Sequence, residues 1–379
     1  MGGPLSGVKV IEFASLGPGP FCAMMLADQG AEVIRVDRAG TPHDRFDILG
    51  RSRTSIVLDM KSAEAVAAAR DLVRSADALV EGFRPGVMER LGLGPDVLLA
   101  DNPRLVYGRM TGWGQDGPLA TAAGHDINYI ALAGLLHTCG QAGGKPVPPV
   151  NYLGDFGGGG MLLALGIVSA LLAVRTGGQG QVVDAAMVDG ASLLGAMTRQ
   201  FLNAGMWNDA PGTNVIDGGS HFYDTYECAD GRWISIAAIE PRFYALLRQA
   251  LGLADDPAFD AQMDRDAWPA LKARLAAVFL SRSRNEWTAL MEGTDICFAP
   301  VLSLREAPFH PHNVARSMFL EVDGSIQPAP APRYSGTPLT PPTPAPVPGR
   351  DTYAVLETLG YERSRIERIA STPEARSKH

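Results

Sequence analysis

Two side chains able to carry protons each stand directly before a long apolar stretch of the sequence. His125 and Asp126 open the stretch GHDINYIALAG, and Asp155 opens DFGGGGMLLALGI. Both stretches predict buried helices, so Asp126 fits an N-cap position and the first helix amides would point towards whatever lies beside His125. Such groups can act as general acids or bases. A structural histidine and a capping aspartate fit the same pattern, and the residue types leave both interpretations open.

The four glycines after Asp155 raise the question of a phosphate-binding loop. A P-loop requires a lysine followed by serine or threonine at fixed positions, and neither is present. The sequence therefore excludes a phosphate cradle here. The glycines either let two helices pack closely or leave space for a ligand to approach a helix end. Helix amides would favour a charged Asp155, whereas apolar walls would raise its pKa.

A second glycine motif, GPGPFC, stands between the first predicted strand and the first predicted helix. With Asp37 further on, it resembles the dinucleotide-binding fingerprint. Cys22 replaces the third glycine, however, and Pro18 and Pro20 remove two backbone N–H groups that a pyrophosphate would need. We interpret the motif as a tight turn in a Rossmann-like sheet, and nucleotide binding there as the weaker alternative.

Several cations are spread over the segments in which the parallel strands are predicted to end. Ligands of open α/β sheets bind at the carboxyl ends of the strands, and arginine is a natural partner for phosphate. Each cation taken singly is more often a solvated surface charge, but their shared position favours a phosphate site. These residues are Arg38, Arg51, Arg53, Lys61, Arg84 and Arg90.

Composition and charge limit the class of protein. The chain has 379 residues, of which 46% are hydrophobic and 20% charged, as in a globular enzyme long enough for two domains. A net charge of −8 and a pI near 5.4 disfavour a dedicated nucleic-acid binder. The four cysteines include no CxxC pair, so neither a zinc site nor a disulfide framework is predicted. We expect a cytoplasmic protein without a membrane span.

Short β-branched runs alternate with helical periods in the N-terminal part of the chain. VKVIEFA, AEVIRVDR, SIVLDM, ALVEGF and LVYGRMTG predict strands, and the segments between them include an alanine-rich helix. This alternation predicts an α/β fold with a parallel sheet covered on both faces. Long apolar segments then predict buried helices over residues 124–199.

The character of the sequence changes after His221, where two alternating runs flank an Asp-Gly turn and predict a hairpin. Amphipathic helices follow, then a proline-rich strap and a final helix over residues 352–369. We therefore predict four regions. They are a large Rossmann-like domain with the catalytic helices (1–200), a linker (201–225), a small α+β domain (226–326), and a return strap with a C-terminal helix completing the large domain (327–379).

Several long motifs together resemble the alpha-methylacyl-CoA racemases of the class III CoA-transferase family. They are GPGPFCAMMLAD, VIRVDRAG, GHDINYIAL, GDFGGGG, GQVVDAAMVDG, FYDTYECADG and AAIEPRFY. The resemblance runs from Leu5 to about Pro332. It implies that the chain inverts the α-carbon of 2-methyl-branched acyl-CoA thioesters by two-base proton transfer through an enolate.

The resemblance also implies roles for individual residues. His125 and Asp155 would be the two catalytic bases. Glu240 would orient and charge His125, and the backbone N–H of Asp126 would lie in the oxyanion hole. Coenzyme A would be part of the substrate, with no separate cofactor and no metal. The implied substrate- and CoA-binding positions are Arg38, Leu58, Asp59, Met60, Lys61, Gly82, Arg84, Arg90, Gly124, Ile127, Asn128 and Tyr129.

The family fold implies a homodimer of interlocked subunits, and the proline-rich strap suits its return path. Met187, Met197 and Met206 could line an adaptable acyl surface, although such residues are more often plain core. One departure is visible, because Ser220 and His221 stand where the family tends to have Ala-Pro. The acyl group is left open between branched fatty, sterol-derived and aryl chains.

Three alternatives remain at this stage. In the transferases of the family, the aspartate matching Asp155 attacks the thioester and forms an aspartyl-CoA anhydride, but His125 with Glu240 favours the racemase. The hypothesis of a nicotinamide-dependent oxidoreductase depends on the motif GPGPFC and on Asp37. A non-catalytic CoA-binding regulator would be indifferent to replacement of His125 or Asp155.

Overall fold

The structure is a computed structural model that describes residues 2–370. Within that range it has eleven strands and fourteen α-helices, together with one π-helix and short 3₁₀ turns. The strands are β1 (Lys9–Phe13), β2 (Glu32–Asp37), β3 (Thr54–Val57), β4 (Ala78–Glu81), β5 (Val106–Thr111), β6 (Gln181–Ala186), β7 (Tyr223–Glu227), β8 (Trp233–Ala237), β9 (Phe298–Pro300), β10 (Phe319–Val322) and β11 (Ser325–Pro328). The helices are α1 (Pro18–Asp28), α2 (Ala63–Arg74), α3 (Val87–Arg90), α4 (Pro95–Asp101), α5 (Asp126–Leu132), α6 (Leu162–Arg175), α7 (Met187–Leu194), α8 (Ala196–Asn203), α9 (Pro241–Ala250), α10 (Trp268–Phe279), α11 (Arg284–Met291), α12 (Pro311–Ala315), α13 (Thr352–Thr358) and α14 (Arg363–Ala370).

The first six strands form one parallel sheet in the order β3-β2-β1-β4-β5-β6. In its middle, Ile11 of β1 pairs with Ile34 of β2 and with Leu79 of β4. Both faces of the sheet are covered, which explains why its strands are apolar on both sides rather than alternating with polar residues. The predicted α/β class with a parallel sheet is confirmed.

Successive residues of β1 face opposite sides of the sheet and join two separate hydrophobic cores. Ile11 belongs to the core beneath α2, whereas Val10 belongs to the core formed with α1 and α6. Neither side chain has exposed surface. The loops at the carboxyl ends of the strands therefore rest on a sheet that is packed from both faces.

Residues 152–175 form one continuous helical segment, in which the π-helix Tyr152–Met161 leads into α6. The segment is long and apolar enough to cross a membrane by length and composition, but half of its most apolar window is buried in the protein. Leu163, Ile167 and Leu171 lie in the core with α1 and the sheet. One face of the segment is therefore buried in the core, as the sequence predicts, whereas Leu165 and Leu172 on the other face are exposed, so the prediction of burial on most sides is only partly met.

The glycines of this segment lie in contacts between helices. A Cβ at Gly158 would lie 2.6 Å from the Ala191 nitrogen of α7, and a Cβ at Gly160 would lie 2.8 Å from the Pro18 oxygen of α1. The interpretation that these glycines leave space for a ligand is therefore wrong, and close helix packing is the correct one. As a result, α1 and α7 lie directly against the helix that carries Asp155.

The C-terminal segment covers the edge of the sheet at β3. The Asp351 N–H donates to the Ser55 carbonyl at 2.9 Å, and the Asp351 carboxylate accepts the Ser55 N–H, also at 2.9 Å. Ile366 and Ile369 are fully buried in the core beneath α2. The predicted single helix over residues 352–369 is divided into α13 and α14, because Gly360 between them has φ of +83°.

The chain divides into two compact units. The first contains residues 2–133, 150–194 and 316–370, and residues 329–349 run through it without helix or strand. The second contains residues 134–149 and 195–315, with β7, β8 and β9 forming an antiparallel sheet. Residues 134–149 and 195–200 of the predicted large domain group with the second unit, as does the predicted linker 201–225. Residues 316–326 of the predicted small domain group with the first unit. The apolar stretch DAAMVDGASLLGAM, residues 184–197, fits one buried helix by its pattern, but it forms the end of β6, α7 and the start of α8.

Candidate active site

A cavity of about 850 Å³ lies at the carboxyl ends of β1, β2, β4 and β5. This is the edge at which open α/β sheets bind ligands. Its wall includes both predicted bases, His125 and Asp155. The predicted substrate-binding residues that also line it are Arg38, Gly82, Arg84, Gly124 and Tyr129.

His125 is the N-cap residue of α5 and is exposed. Its backbone N–H donates to Oδ1 of Asn128 at 3.1 Å, and its carbonyl accepts the Asn128 N–H at 2.8 Å. Asp126 is the first residue of the helix, so the prediction of Asp126 as N-cap is wrong by one position. The reciprocal bonds with Asn128 fix the backbone at His125 and direct its side chain from the helix end into the cavity wall.

The side chain of Asp126 is buried and faces the π-helix. Its Oδ2 atom accepts the N–H of Gly154 at 2.6 Å and the N–H of Asp155 at 2.8 Å. The Asp126 N–H itself has no hydrogen-bond acceptor within residues 2–370, as expected in the first turn of a helix. Asp126 therefore presents a free donor while its side chain contacts the segment that carries the second base.

Asp155 lies on the π-helix, and its carboxylate is half-buried. Oδ2 accepts the side-chain amide of Asn151 at 3.0 Å, and a Cβ at Gly17 would lie 3.7 Å from the same oxygen. Burial raises the pKa of Asp155, the Asn151 hydrogen bond lowers it, and the negative charge of Asp126 raises it further. The net effect is a raised pKa, as required of a carboxyl group that both gives and takes a proton.

Two aromatic rings support the peptide before His125. Trp113 and Tyr129 pack edge to face with centroids 4.7 Å apart, and the Tyr129 hydroxyl donates to the Gly124 carbonyl. A Cβ at Gly124 would lie 2.8 Å from the Tyr129 ring and 2.9 Å from the Trp113 ring. Only glycine fits at position 124, and this close packing holds the loop that leads to His125.

A second cavity of about 660 Å³ lies beside the first, and both are lined by Ala14, Asp37, Arg38 and Phe83. The predicted residues Leu58, Asp59, Met60 and Lys61 line it. Within the described residues, the side chains of Arg38, Lys61 and Arg84 make no ion pair, so their charges are available to an anion. The two cavities therefore share a wall, and between them they carry these three cations.

Arg51 and Arg53 do not belong to this set of cations. Arg51 is buried and forms a bidentate pair with Asp28, and Arg53 is buried and pairs with Glu12 at 2.9 Å. The prediction that they converge on phosphates is therefore wrong, because both guanidinium groups are already neutralised inside the protein. Arg90 lies close to Gly86 and does not line either cavity.

Comparison with known proteins identifies the family of this chain. The sequence profile of the CoA-transferase family III matches residues 5–352. The chain belongs to this family. It is 45% identical over 370 residues to the alpha-methylacyl-CoA racemase of Mus musculus and 44% identical over 371 residues to that of Homo sapiens, in both cases over 97% of this chain and 96% of the relative. A CAIB/BAIF family protein from Brucella suis has a TM-score of 0.81 at 26% identity, over 95% of this chain and 100% of that one.

Five of the residues implied by the resemblance to the CoA-transferase family III line neither cavity, namely Arg90, Asp126, Ile127, Asn128 and Glu240. Ile127 and Asn128 are exposed on α5, and neither lines the two cavities. Glu240 is the N-cap residue of α9 in the second unit. Of the three methionines, Met187 lines the larger cavity, whereas Met197 and Met206 are exposed in the second unit.

His221, the visible departure from the pattern of the CoA-transferase family III, is a core residue. It is fully buried in the second unit, its Nε2 atom lies 2.7 Å from the Tyr244 hydroxyl, and its ring packs against Phe222 and Phe259. Burial lowers its pKa to about 4. The ring is therefore neutral at ordinary pH and serves the packing of this unit.

Sequence reasoning missed three contributors to the site. Asn151 stands four residues before Asp155, and that helical spacing is a signal that could have found it. Trp113 follows the end of β5 but carries no other signal. The contact of the Asp126 carboxylate with residues 154 and 155 spans 28 residues of sequence and has no local signature.

Proposed function

We propose that this protein inverts the α-carbon of 2-methyl-branched acyl-CoA thioesters by transferring protons on the two faces of that carbon. The observation that carries the proposal is one cavity that contains two different proton carriers, His125 and Asp155, beside the unpaired helix amide of Asp126. Inversion needs a base on each face and a donor for the enolate oxygen, and these three groups meet that need. The high identity to two proteins named alpha-methylacyl-CoA racemase supports it.

The two bases exchange roles with the direction of the reaction. For one enantiomer, neutral His125 removes the α-proton and protonated Asp155 returns a proton to the opposite face. For the other, the Asp155 carboxylate removes the proton and the His125 imidazolium returns one. The raised pKa of Asp155 favours the protonated form that the first direction uses. The Asp126 N–H, at the positive end of α5, would stabilise the enolate oxygen.

Further residues complete the proposed site. Arg38, Arg84 and Lys61 would bind the phosphates of coenzyme A, with Leu58 and Met60 beside the adenine. The family resemblance alone assigns a role to Glu240, which would fix the tautomer of His125 and stabilise its imidazolium. We also propose a homodimer of interlocked subunits in the cytoplasm. In support, more than a hundred residues of the second unit separate the last two segments of the first unit along the chain. In addition, the apolar side chains of Leu165, Leu172 and Leu193 are exposed on the first unit.

Nicotinamide binding at GPGPFC is not supported. The carboxylate of Asp155 lies against Gly17, where the pyrophosphate of a dinucleotide would have to bind. Asp37 accepts the Ser55 hydroxyl at 2.7 Å and pairs with Arg35, so its oxygens are engaged within the protein. Transfer of coenzyme A through an aspartyl anhydride on Asp155 is the remaining alternative, since the family includes transferases.

The test is to incubate each enantiomer of a 2-methylacyl-CoA in D₂O and to follow deuterium at the α-carbon by NMR and configuration by chiral chromatography. We expect deuteration and epimerisation without any acid acceptor. H125A and D155A should abolish both while acetyl-CoA still binds by calorimetry. Absence of exchange in the wild-type protein, with CoA transfer that depends on an added carboxylic acid, would establish the transferase instead.

A further inference from the structure

The side chain of Asp126 links the two elements that carry the proposed bases. It belongs to the first residue of α5, directly after His125, and its Oδ2 atom accepts the N–H groups of Gly154 and Asp155. These are two of the first amides of the π-helix, which have no acceptor within a helix of their own. Asp126 thus begins α5 with its backbone and caps the π-helix with its side chain.

The surroundings leave this carboxylate little freedom. Asp126 is only 6% exposed, and a Cβ at Gly154 would lie 2.6 Å from its Oδ2 atom and 3.2 Å from its Cα. Any residue other than glycine at position 154 would therefore push the two backbones apart. The other carboxylate oxygen, Oδ1, is buried without a hydrogen-bond partner within the described residues, so Oδ2 alone carries the link.

We propose that the Asp126 side chain is a positioning residue which fixes the separation between His125 and Asp155 and, at the same time, the direction of the Asp126 N–H. This inference rests on the proposed function and deepens it. A two-base inversion requires both groups to meet the same carbon from opposite faces, and a misplacement of 1 Å can cost about 100-fold in rate. A shared carboxylate holds both helix ends in one register.

The negative charge of this carboxylate gives the inference a distinct signature. The charged and titratable groups that act on Asp155 are Asp126, the first residue of α5, and His125, its N-cap residue. Tyr129 of α5 interacts in turn with Asp155 and Asp126, and with Arg84 after β4. Removing the charge while keeping an acceptor should lower the pKa of Asp155, because the repulsion from Asp126 is lost. Removing the acceptor oxygen of Asp126 should instead let the ends of α5 and the π-helix move relative to each other.

The test compares D126N, whose amide oxygen still accepts both N–H groups, with D126A, which accepts neither. We expect D126N to keep kcat within about tenfold and to move the limb of the pH–rate profile that reports Asp155 to lower pH. D126A should lose about 100-fold or more in kcat. Acetyl-CoA affinity and thermal stability are measured in parallel. Asp77, whose carboxylate accepts the Lys9 N–H at 2.8 Å at the amino end of the sheet, provides the control D77N.

G154A is a second variant that keeps the carboxylate and displaces it, and it should lose kcat as D126A does. The inference is overturned if D126A keeps kcat within about threefold of wild type. It is also overturned if D126N and D126A lose the same activity, since charge alone would then account for the effect. If the wild-type protein transfers CoA instead of exchanging the α-proton, the proposed function fails, and the same comparison is made on the transfer rate, because Asp155 acts in either reaction.

Discussion

The side-chain amide of Asn151 donates a 3.0 Å hydrogen bond to Oδ2 of Asp155, and this bond is the largest of the effects that lower the pKa of this carboxyl group against its burial. Replacing Asn151 by alanine should raise the pKa of Asp155 further, because its charged form loses a donor. In the direction in which Asp155 acts as base, the acidic limb of the pH–rate profile should move to higher pH. An unchanged profile would contradict this. Asn102, whose amide donates to the Ala76 carbonyl away from the cavity, provides the control N102A.

Gly190 of α7 contacts the backbone of Gly158 in the π-helix. A Cβ at Gly190 would overlap Gly158, lying 2.7 Å from its Cα. G190A should therefore destabilise the protein by about 1–3 kcal/mol, measured by urea unfolding, and should lower kcat by moving the helix that carries Asp155. Gly336 has open space around it and an ordinary φ, so G336A should change stability by less than about 0.5 kcal/mol. Equal stability of both variants would contradict the packing role.

Arg53 and Glu12 form a buried ion pair at 2.9 Å, and Arg53 also donates to the Pro20 carbonyl of α1. R53M leaves the Glu12 carboxyl group buried without its partner and should cost about 3–5 kcal/mol of unfolding free energy. The double variant E12Q/R53M should recover part of that loss, since no charge remains buried. The exposed Arg104 provides the control R104M. A small effect of R53M would show that Glu12 is neutral in the native protein.

His221 gives the second unit a defined sensitivity to acid. Its pKa is about 6.5 when unfolded and about 4 in the native protein, because burial disfavours the charged ring. Its contribution to stability is therefore complete above pH 6.5 and is lost as the pH falls from 6.5 towards 4. Between pH 7.5 and pH 5 this amounts to about 2 kcal/mol of unfolding free energy. H221F should remove that part of the pH dependence, whereas a variant of the exposed His312 should not.

The strands, the helices and the two proposed bases could be predicted from the sequence. The tertiary contacts that connect them could not. The strands of the parallel sheet could be predicted because each is a short β-branched run, and His125 and Asp155 each precede a buried helix. Arg38 and Arg53 could not be distinguished in the same way, since each is an arginine that stands beside a predicted strand. Their difference lies in Glu12, which is far away in sequence and becomes a partner only in the folded chain.

The glycines illustrate the same limit. A run of glycines indicates a close approach without naming the neighbour. At Gly158 the neighbour is α7, and at Gly160 it is α1. At Gly154 it is the carboxylate of Asp126. These three outcomes have different functional meanings, and only tertiary structure separates them.

The cover of β3 by the last described residues also determines when the protein can finish folding. Ser55 in this strand donates its hydroxyl to Asp37 in the cavity wall and accepts the Gly349 N–H at 2.8 Å. On a ribosome, the six strands of the sheet are synthesised long before that partner. The binding unit therefore closes only after residue 349 has been synthesised, and a chain truncated before that residue would leave β3 as an open edge prone to aggregation.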